Sequence, residues 1–581
     1  MHRRHFSNKE ISDILSEMAA LYEMQDVEFK PRAYEHASES IRSLTKDIAD
    51  VYHEGGEKAL DAISGIGAGI AEHVRELLTT GHFKEYETMH KKAPVNMLEL
   101  TSVEGIGPKT VKILWEELKI KNIDDLERAI KNGKLEKVAG FGWHSVEKIE
   151  KGIEFYRQSR GRFVLGFIMP DVQKFAQEIR RFQGVGIERV AVAGSVRRWK
   201  ETIGDIDVLV VARDAAACMK RVTSLEEVAY VYSTGTTKTN VRLRSGIDVD
   251  IRVVPTESWG AALNYFTGSK PHNIALRKIA LEKGYKLNEY GLFKGEKQIA
   301  GRTEEDLYKA LGLRYIESEL REMTGEIKAA QAGKLPELVG YDALHGDLQV
   351  QTRATDGNSS IEAMADAAES AGLEYIAITD HTRSLAMTHG LDESGLLKQA
   401  REIDKINAKR KAEKKKLVVL KGAEVNIMKD GSLDISNDAL AKLDVVGAAV
   451  HSHFTLSKKE QTARIIRAME NPNVDIIFHL TGRLLNKRES MDIDIDEIIA
   501  AAKRTKTILE IDAFPDRLDI KDTYIRKCVE AGVWMCVDSD AHAPEHFQFL
   551  KYGIAQARRG WAERGDIINT FSLKQFLKKL K

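Results

Sequence analysis

GDIDVLV, residues Gly204 to Val210, places two aspartates one residue apart at the head of an apolar run rich in β-branched residues. Such a run reads as a buried strand. Alternate side chains of a strand share a face, so Asp205 and Asp207 project together. Two carboxylates that close repel and raise one another's pKa unless a cation lies between them. A second run, GIDVDIRVV (Gly246 to Val254), carries Asp248 and Asp250 and can lie beside the first. Three carboxylates meeting from two strands can hold two hard divalent ions, the arrangement that two-metal phosphoryl transfer requires. A lone D-x-D is also common at a solvated strand end, so the rest of the chain has to decide.

The chain has 581 residues, too many for one core, and predicts roughly three to five domains. With 43% hydrophobic and 30% charged residues it has the makeup of a folded chain rather than a disordered one. No apolar stretch approaches the roughly 20 residues of a membrane span, and the start, MHRRHFSNKE, lacks a signal peptide's apolar segment, so the expected location is cytoplasmic. Cys218, Cys528 and Cys536 are scattered without CxxC spacing, which argues against a disulfide framework and a thiolate zinc site. Lys+Arg and Asp+Glu both total 88, so net charge argues against a non-specific nucleic-acid coat and leaves local patches open.

Residues 1 to about 155 read as short amphipathic helices punctuated by glycine. Three segments share one pattern: LDAISGIGAGIAEHVRELL, LTSVEGIGPKTVKILWEEL and LEKVAGFGWHSVEKIEKGI. Each sets a G-x-G turn before a helix, at Gly65/Gly67, Gly105/Gly107 and Gly140/Gly142. Such a turn aims backbone N–H groups at one phosphate, so it grips a nucleic-acid strand without reading bases or adding charge. From about 160 to 330 strands such as ERVAVAG and DVDIRVV mix with helices, an α+β pattern. The charged segment ESELREMTGEIKAAQAGKLPEL is read as a linker ending near Pro336. From about 340 onward apolar strands alternate with helices, which implies a parallel sheet closed or nearly closed into a barrel. The run KRKAEKKK (Lys409 to Lys416) reads as the solvated face of a helix before a strand rather than a nucleic-acid patch.

The hairpins resemble the helix-hairpin-helix motif of DNA repair proteins, GIGPK most closely. GSVRRWKETIGDIDVLV (Gly194 to Val210) resembles the signature of family X DNA polymerases, relatives of polymerase beta. YFTGSKPHNIALRKIALEKGYKLNEYGLF (Tyr265 to Phe293) resembles their nucleotide-binding and thumb segment. The resemblance covers residues 1 to about 330. It implies a lyase-like helical domain over 1–90, a fingers-like domain with two further hairpins over 91–160, a nucleotidyltransferase palm over 161–258 and a thumb over 259–318, with a linker over 319–339. Carried over by residue, it implies that Asp205 and Asp207 bind two Mg2+ or Mn2+ ions and that Asp250, which precedes IRVV, joins the catalytic one. It implies that Gly194, Ser195 and Arg198 line the triphosphate site, that Tyr265, Phe266 and Gly268 pack on the sugar of a dNTP, and that Asn273 and Arg277 probe the nascent base pair. Where the family's lyase lysine stands, this chain has His73. An imidazole cannot replace a primary amine in Schiff-base chemistry, so lyase activity would need another lysine such as Lys84.

The last 240 residues place acids and histidines at strand ends: Asp380/His381, Glu424, His451/His453, His479 and Asp540/His542. Ligands at successive strand ends converge on one barrel mouth. This region, 340–581, resembles the PHP domain, in whose relatives a trinuclear zinc or manganese site cleaves phosphodiesters. The family's opening strand carries H-x-H. This chain reads GDLQVQTRATDG, with Gln349 and Gln351 in those places. A neutral amide is a poor exchange for imidazole at zinc and a lesser loss at manganese. The remaining set, Asp356, His381, Glu424, His451, His479, Asp540 and His542, suffices for one or two Zn2+ or Mn2+ ions. The expectation is a folded PHP barrel with an incomplete metal site and weak or absent nuclease activity.

The reading is therefore an all-α helix-hairpin-helix region, an α+β nucleotidyltransferase palm with a thumb, and an α/β PHP barrel. The expected function is a monomeric, DNA-templated polymerase filling short gaps in base excision repair, with gapped or nicked double-stranded DNA and dNTP as partners and no membrane association. The alternative is a PHP-type DNA 3′-5′ exonuclease or abasic-site nuclease with the N-terminal half as DNA-binding module. A non-catalytic scaffold would have no need of the acidic triad.

Overall fold

In the computed structural model, glycine-punctuated helices do build the first part of the chain; the structure describes residues 6–580 apart from 45, 64, 104, 160, 386 and 387. Two compact units result. One comprises Met1–Arg162 with Arg483–Ser490, the other Phe163–Gly482 with Met491–Lys581.

Between residues 6 and 162 the described regular structure of the first unit is helical. Asn8–Met24 starts at a capping box of Ser7 and Glu10 and buries Ile11, Leu15, Met18 and Leu21, the i, i+4, i+7, i+10 stripe of an amphipathic helix. The three G-x-G turns share one geometry. Their first glycines, Gly65, Gly105 and Gly140, have φ of +82°, +90° and +93°, a region that disfavours any side chain. The residue between the glycines, Ile66, Ile106 or Phe141, is buried, and its N–H donates three residues back at 3.0, 3.0 and 3.1 Å. Gly67 and Gly107 then cap Ala68–Thr80 and Pro108–Leu118 with no side-chain hydrogen bond, which leaves the first-turn amides to outside acceptors. Ser64 and Glu104 of the first two motifs lie outside the described residues.

The second unit begins with a five-stranded sheet in the order Ile187–Val192, Asp205–Ala212, Asp248–Val253, Lys238–Leu243, Val228–Thr234. The Asp205 and Asp248 strands are parallel neighbours. Helices Trp259–Thr267 and Lys270–Glu282 follow, then a three-stranded antiparallel sheet and helix Glu304–Ala310. Residues 319–339, expected as a linker, are not a solvated connector. Leu320, Ile327 and Ala330 pack with Leu276, Ile279 and Leu307 in one core, and the charged residues Glu319, Arg321 and Glu326 are buried. Their charges find partners inside: Arg321 donates to Glu304 at 2.6 Å, and His272 lies 2.7 Å from Glu326.

Glu304 is the hub of that core. Arg321 and Arg197 both donate to it, Arg197 at 2.9 and 2.5 Å. Burial alone would raise its pKa, but the Arg321 and Arg197 guanidiniums overcome burial and bring it down from the ordinary 4.5 to about 2. A depressed carboxylate stabilises the fold above its unfolded pKa and loses that contribution as pH falls through the folded value. Glu304→Gln is therefore expected to cost about 3 kcal/mol at pH 7, because it leaves two guanidiniums short of a partner. The gap to the native chain should close between pH 4.5 and 2, as denaturant unfolding across that range would show.

The rest of the unit is a parallel sheet of seven strands in chain order, from Gly346–Val350 to Met535–Asp538. It is nearly closed: Val350 bridges Ala541 in parallel, and Gln351 N–H donates to Ala541 C=O at 2.8 Å. The expected α/β barrel is present. Of the basic run 409–416, Arg410 is buried against Asp366 and Glu369, while Lys415 and Lys409 pair with Asp366 and Glu362, so those charges are spent within the domain. Among the described residues no helix is long and apolar enough to cross a membrane.

Candidate functional site

Parallel pairing sets the acids in register, Asp205 opposite Asp248 and Asp207 opposite Asp250. The second pair divides by what surrounds it. Asp248 accepts from Arg242 at 2.8 and 3.0 Å and from Tyr232 at 3.1 Å, so its charge is already answered. Asp250 has Lys238 only at 3.8 Å and faces Asp207. Burial, then Asp205, then Asp250 push the Asp207 carboxyl up to about 7. Three carboxylates gathered in this way are a donor set for a hard divalent cation. Arg242, a partner the sequence pattern did not reveal, thus sets Asp248 apart from Asp250.

The short helix Gly194–Arg197 seats the neighbouring groups. A side chain at Gly194, where φ is +62°, would begin 2.3 Å from Asp207 Oδ2, so only glycine lets this backbone pass the carboxylate. Ala193 N–H donates to Asp207 C=O at 2.8 Å and fixes Ser195 and Arg198 beside it. Arg198 reaches across to the Tyr265–Gly268 stretch, donating to Thr267 C=O, and a side chain at Gly268 would meet Arg198 Nη1 at 3.2 Å. Its Nε donates to Glu322 Oε1 at 2.8 Å. Asn273 donates to Tyr265 C=O at 2.7 Å, and Arg277, one turn on, donates to Asn273 C=O at 3.4 Å. Ser195, Arg198, Tyr265, Phe266, Gly268, Asn273 and Arg277 therefore come from two chain segments tied together at Arg198. Glu322 was missed from sequence; 124 residues separate it from Arg198, and no local pattern joins them.

In the helical unit His73 Nδ1 lies 2.7 Å from Tyr34 Oη, and its Nε2 lies 3.5 Å from Glu85. The amine sharing that glutamate is Lys30, at 3.2 Å. Lys84 instead opens helix Lys84–Lys92.

The barrel mouth gathers its histidines around Glu424, which is fully buried. His451 and His479 Nε2 lie 3.0 and 2.9 Å from its Oε1, while Gln351 and Gln349 amides donate to its Oε2 at 2.7 and 3.1 Å. Among the described residues, two groups close their donor atoms within 4.8 Å: Asp356, His381 and His542, and His381, Glu424 and His451. Asp540 belongs to neither; Arg517 stands 3.4 Å from it. The carbonyl oxygens Gln349 Oε1 and Gln351 Oε1 are buried without a hydrogen-bond partner, as are Asp356 Oδ1 and His479 Nδ1. The set falls short of a trinuclear centre, since Gln349 and Gln351 withdraw two imidazoles and the two donor groups share His381. One ion on Asp356, His381 and His542 does fit.

Comparison with known proteins matches four family models. Residues 6–83 match a helix-hairpin-helix domain, and 97–151 match a SAM-like helix-hairpin-helix tandem. Residues 262–322 match the DNA polymerase beta thumb, and 347–513 match the PHP domain. Over 582 aligned residues, 98% of this chain and 99% of the relative, the chain is 33% identical to the DNA polymerase/3′-5′ exonuclease PolX of Bacillus subtilis (strain 168). It is 28% identical to DNA polymerase lambda of Rattus norvegicus over 54% of this chain and 56% of that protein. It is 31% identical to a protein of Thermoanaerobacter sp. (strain X514) named "Probable phosphatase", over 38% of this chain and 89% of that protein.

Proposed function

We propose, from the premise that the chain belongs to the family X DNA polymerases that carry a PHP domain, that its DNA-templated synthesis serves to fill short gaps during base excision repair. The register of Asp207 against Asp250, with Asp248 neutralised by Arg242, is the observation that carries the reading. In it, Asp205, Asp207 and Asp250 hold Mg2+ or Mn2+, which when bound lowers the pKa of the primer 3′-hydroxyl and offsets charge on the triphosphate. The chain's own residues orient the reactants. Arg198 and Ser195 grip triphosphate oxygens, with guanidinium geometry suited to bidentate contact. Tyr265, Phe266 and Gly268 bound the sugar, while Asn273 and Arg277 lie against the nascent pair. The three hairpins hold backbone phosphates through the amides after Gly67, Gly107 and Gly142, so duplex flanking a gap is held regardless of sequence.

A one-nucleotide gap with a 5′-phosphate, compared with a recessed primer of the same sequence, tests the gap-filling part. The reading expects incorporation on the gap to be at least about tenfold more efficient in kcat/KM, equivalent to roughly 1.4 kcal/mol from contacts beyond the gap. Equal efficiency on both would refute gap preference. The protein is proposed to act as a monomer, and the PHP barrel to hold fewer ions than its family's trinuclear site, Zn2+ or Mn2+, because Glu424 is already engaged by Gln349 and Gln351.

A further inference from the structure

We propose that Arg559, at the end of the barrel helix Leu550–Arg559, is a positioning residue for nucleotide binding, acting on Arg198 through a carboxylate that both share. The inference rests on the reading of Arg198 as a triphosphate contact. Glu322 Oε1 accepts from Arg198 Nε at 2.8 Å and from Arg559 Nη1 at 3.3 Å. The same Arg559 Nη1 donates to the Arg198 main-chain oxygen at 2.9 Å, and Nη2 donates to Asp522 at 2.5 Å. One guanidinium from the barrel therefore grips both the backbone of Arg198 and the anion that holds its side chain. The Arg559 side chain is 2% exposed, against 14% for Arg198 and 20% for Glu322. In such surroundings charge is screened little, so how Glu322 is shared decides how firmly it retains Arg198.

The helix is itself anchored across the nucleotide-binding half. Gln556 donates to Glu201 at 2.5 Å, Tyr552 to the main chain of Gly166 at 3.3 Å, Arg558 to Glu319 at 2.7 Å, and Trp561, just beyond its end, to Thr324 at 3.2 Å. Arg559 is thus held by Asp522 on the barrel side and by a helix pinned to the nucleotide-binding half. A phosphate and Glu322 compete for the Arg198 guanidinium, whose Nε the carboxylate holds. A second cation on that carboxylate weakens the competing pair and keeps the arginine poised, a preorganisation that appears in nucleotide affinity rather than in the chemical step.

The test is a double-mutant cycle on single-nucleotide incorporation by the full chain, reading KM for dNTP and kcat separately. R559Q is expected to raise KM about fivefold or more with kcat within about twofold, and to add nothing further in an R198Q background. R559K keeps the charge but loses the fork and should fall between R559Q and the native chain. An R198Q variant whose KM equals that of the native chain would overturn the triphosphate reading itself. If R198Q raises KM while R559Q leaves it unchanged, or raises it equally in both backgrounds, the triphosphate reading stands and the positioning role is refuted. If R559Q does not fold, R559K carries the same cycle with the same two outcomes.

Discussion

Replacing Asp250 by alanine is expected to slow nucleotide incorporation by roughly 10³-fold or more, while Asp248→Ala, two residues away on the same strand face, should change it by less than about threefold. Sequence spacing alone does not separate the two, since both side chains leave the strand on one side. Electrostatics does. Asp248 is held by two hydrogen bonds from Arg242 and one from Tyr232, and those donors keep its pKa below the ordinary range. Its negative charge is therefore balanced without any ligand, and losing it removes a surface ion pair of small value. Among the described residues Asp250 pairs with Lys238 at 3.8 Å, a long approach, and it adds its field to that of Asp205 at Asp207. Removing it takes away one of three acids whose mutual repulsion makes the site attract cations. Rapid-quench incorporation at saturating dNTP and DNA measures both variants, and equal losses would show that the two acids are not distinguished in this way.

The second large effect is expected in the barrel. Gln349→His together with Gln351→His should raise the tightly held metal content of the purified chain and increase shortening of a labelled 3′ end by at least about tenfold, since ligand changes exceed the roughly 10- to 100-fold effects of groups that only orient ligands. Glutamine at these positions does two things at once. It withdraws two imidazoles, and it donates both amide groups to Glu424 at 2.7 and 3.1 Å, closing the oxygen that a second ion would use. Imidazoles in their neutral form would present acceptor nitrogens instead and free that oxygen. Metal analysis after dialysis reads the site independently of activity. A native chain that retained three ions, or a double variant that gained none, would contradict the assignment of the defect to these residues.

The parts of this molecule that a single sequence discloses are those written in short-range periodicity. Asp205 and Asp207 stand out because a strand alternates. The three glycine hairpins stand out because one pattern recurs, and each copy proves to make the same backbone turn with its middle residue buried. Six of the seven barrel strands are legible as apolar runs between helices, while the first, Gly346–Val350, is marked only by its resemblance to the PHP family's opening strand. What stayed hidden is long-range pairing. Residues 319–339 read as a linker because they are rich in charge, yet Arg321 is wholly buried on Glu304, a partner 17 residues away. Glu322 and Arg559 meet across 237 residues, and no local signal marks either. Asp540 was placed among the barrel ligands by its strand-end position, whereas the structure sets Arg517 beside it and leaves it outside both tight donor groups. Gln349 and Gln351 were visible as lost histidines, but their grip on Glu424 follows only from the folded barrel.

Synthesis is carried by carboxylates on two paired strands of the palm and not by the barrel. That assignment is tested most directly by one reaction: a one-nucleotide gapped duplex, a single dNTP and Mg2+, with native chain or Asp205→Ala, extension and shortening of the primer being read in the same lanes. Asp205→Ala is expected to lose extension by about three orders of magnitude while any shortening stays as in the native chain. Extension that survives in Asp205→Ala would contradict that assignment.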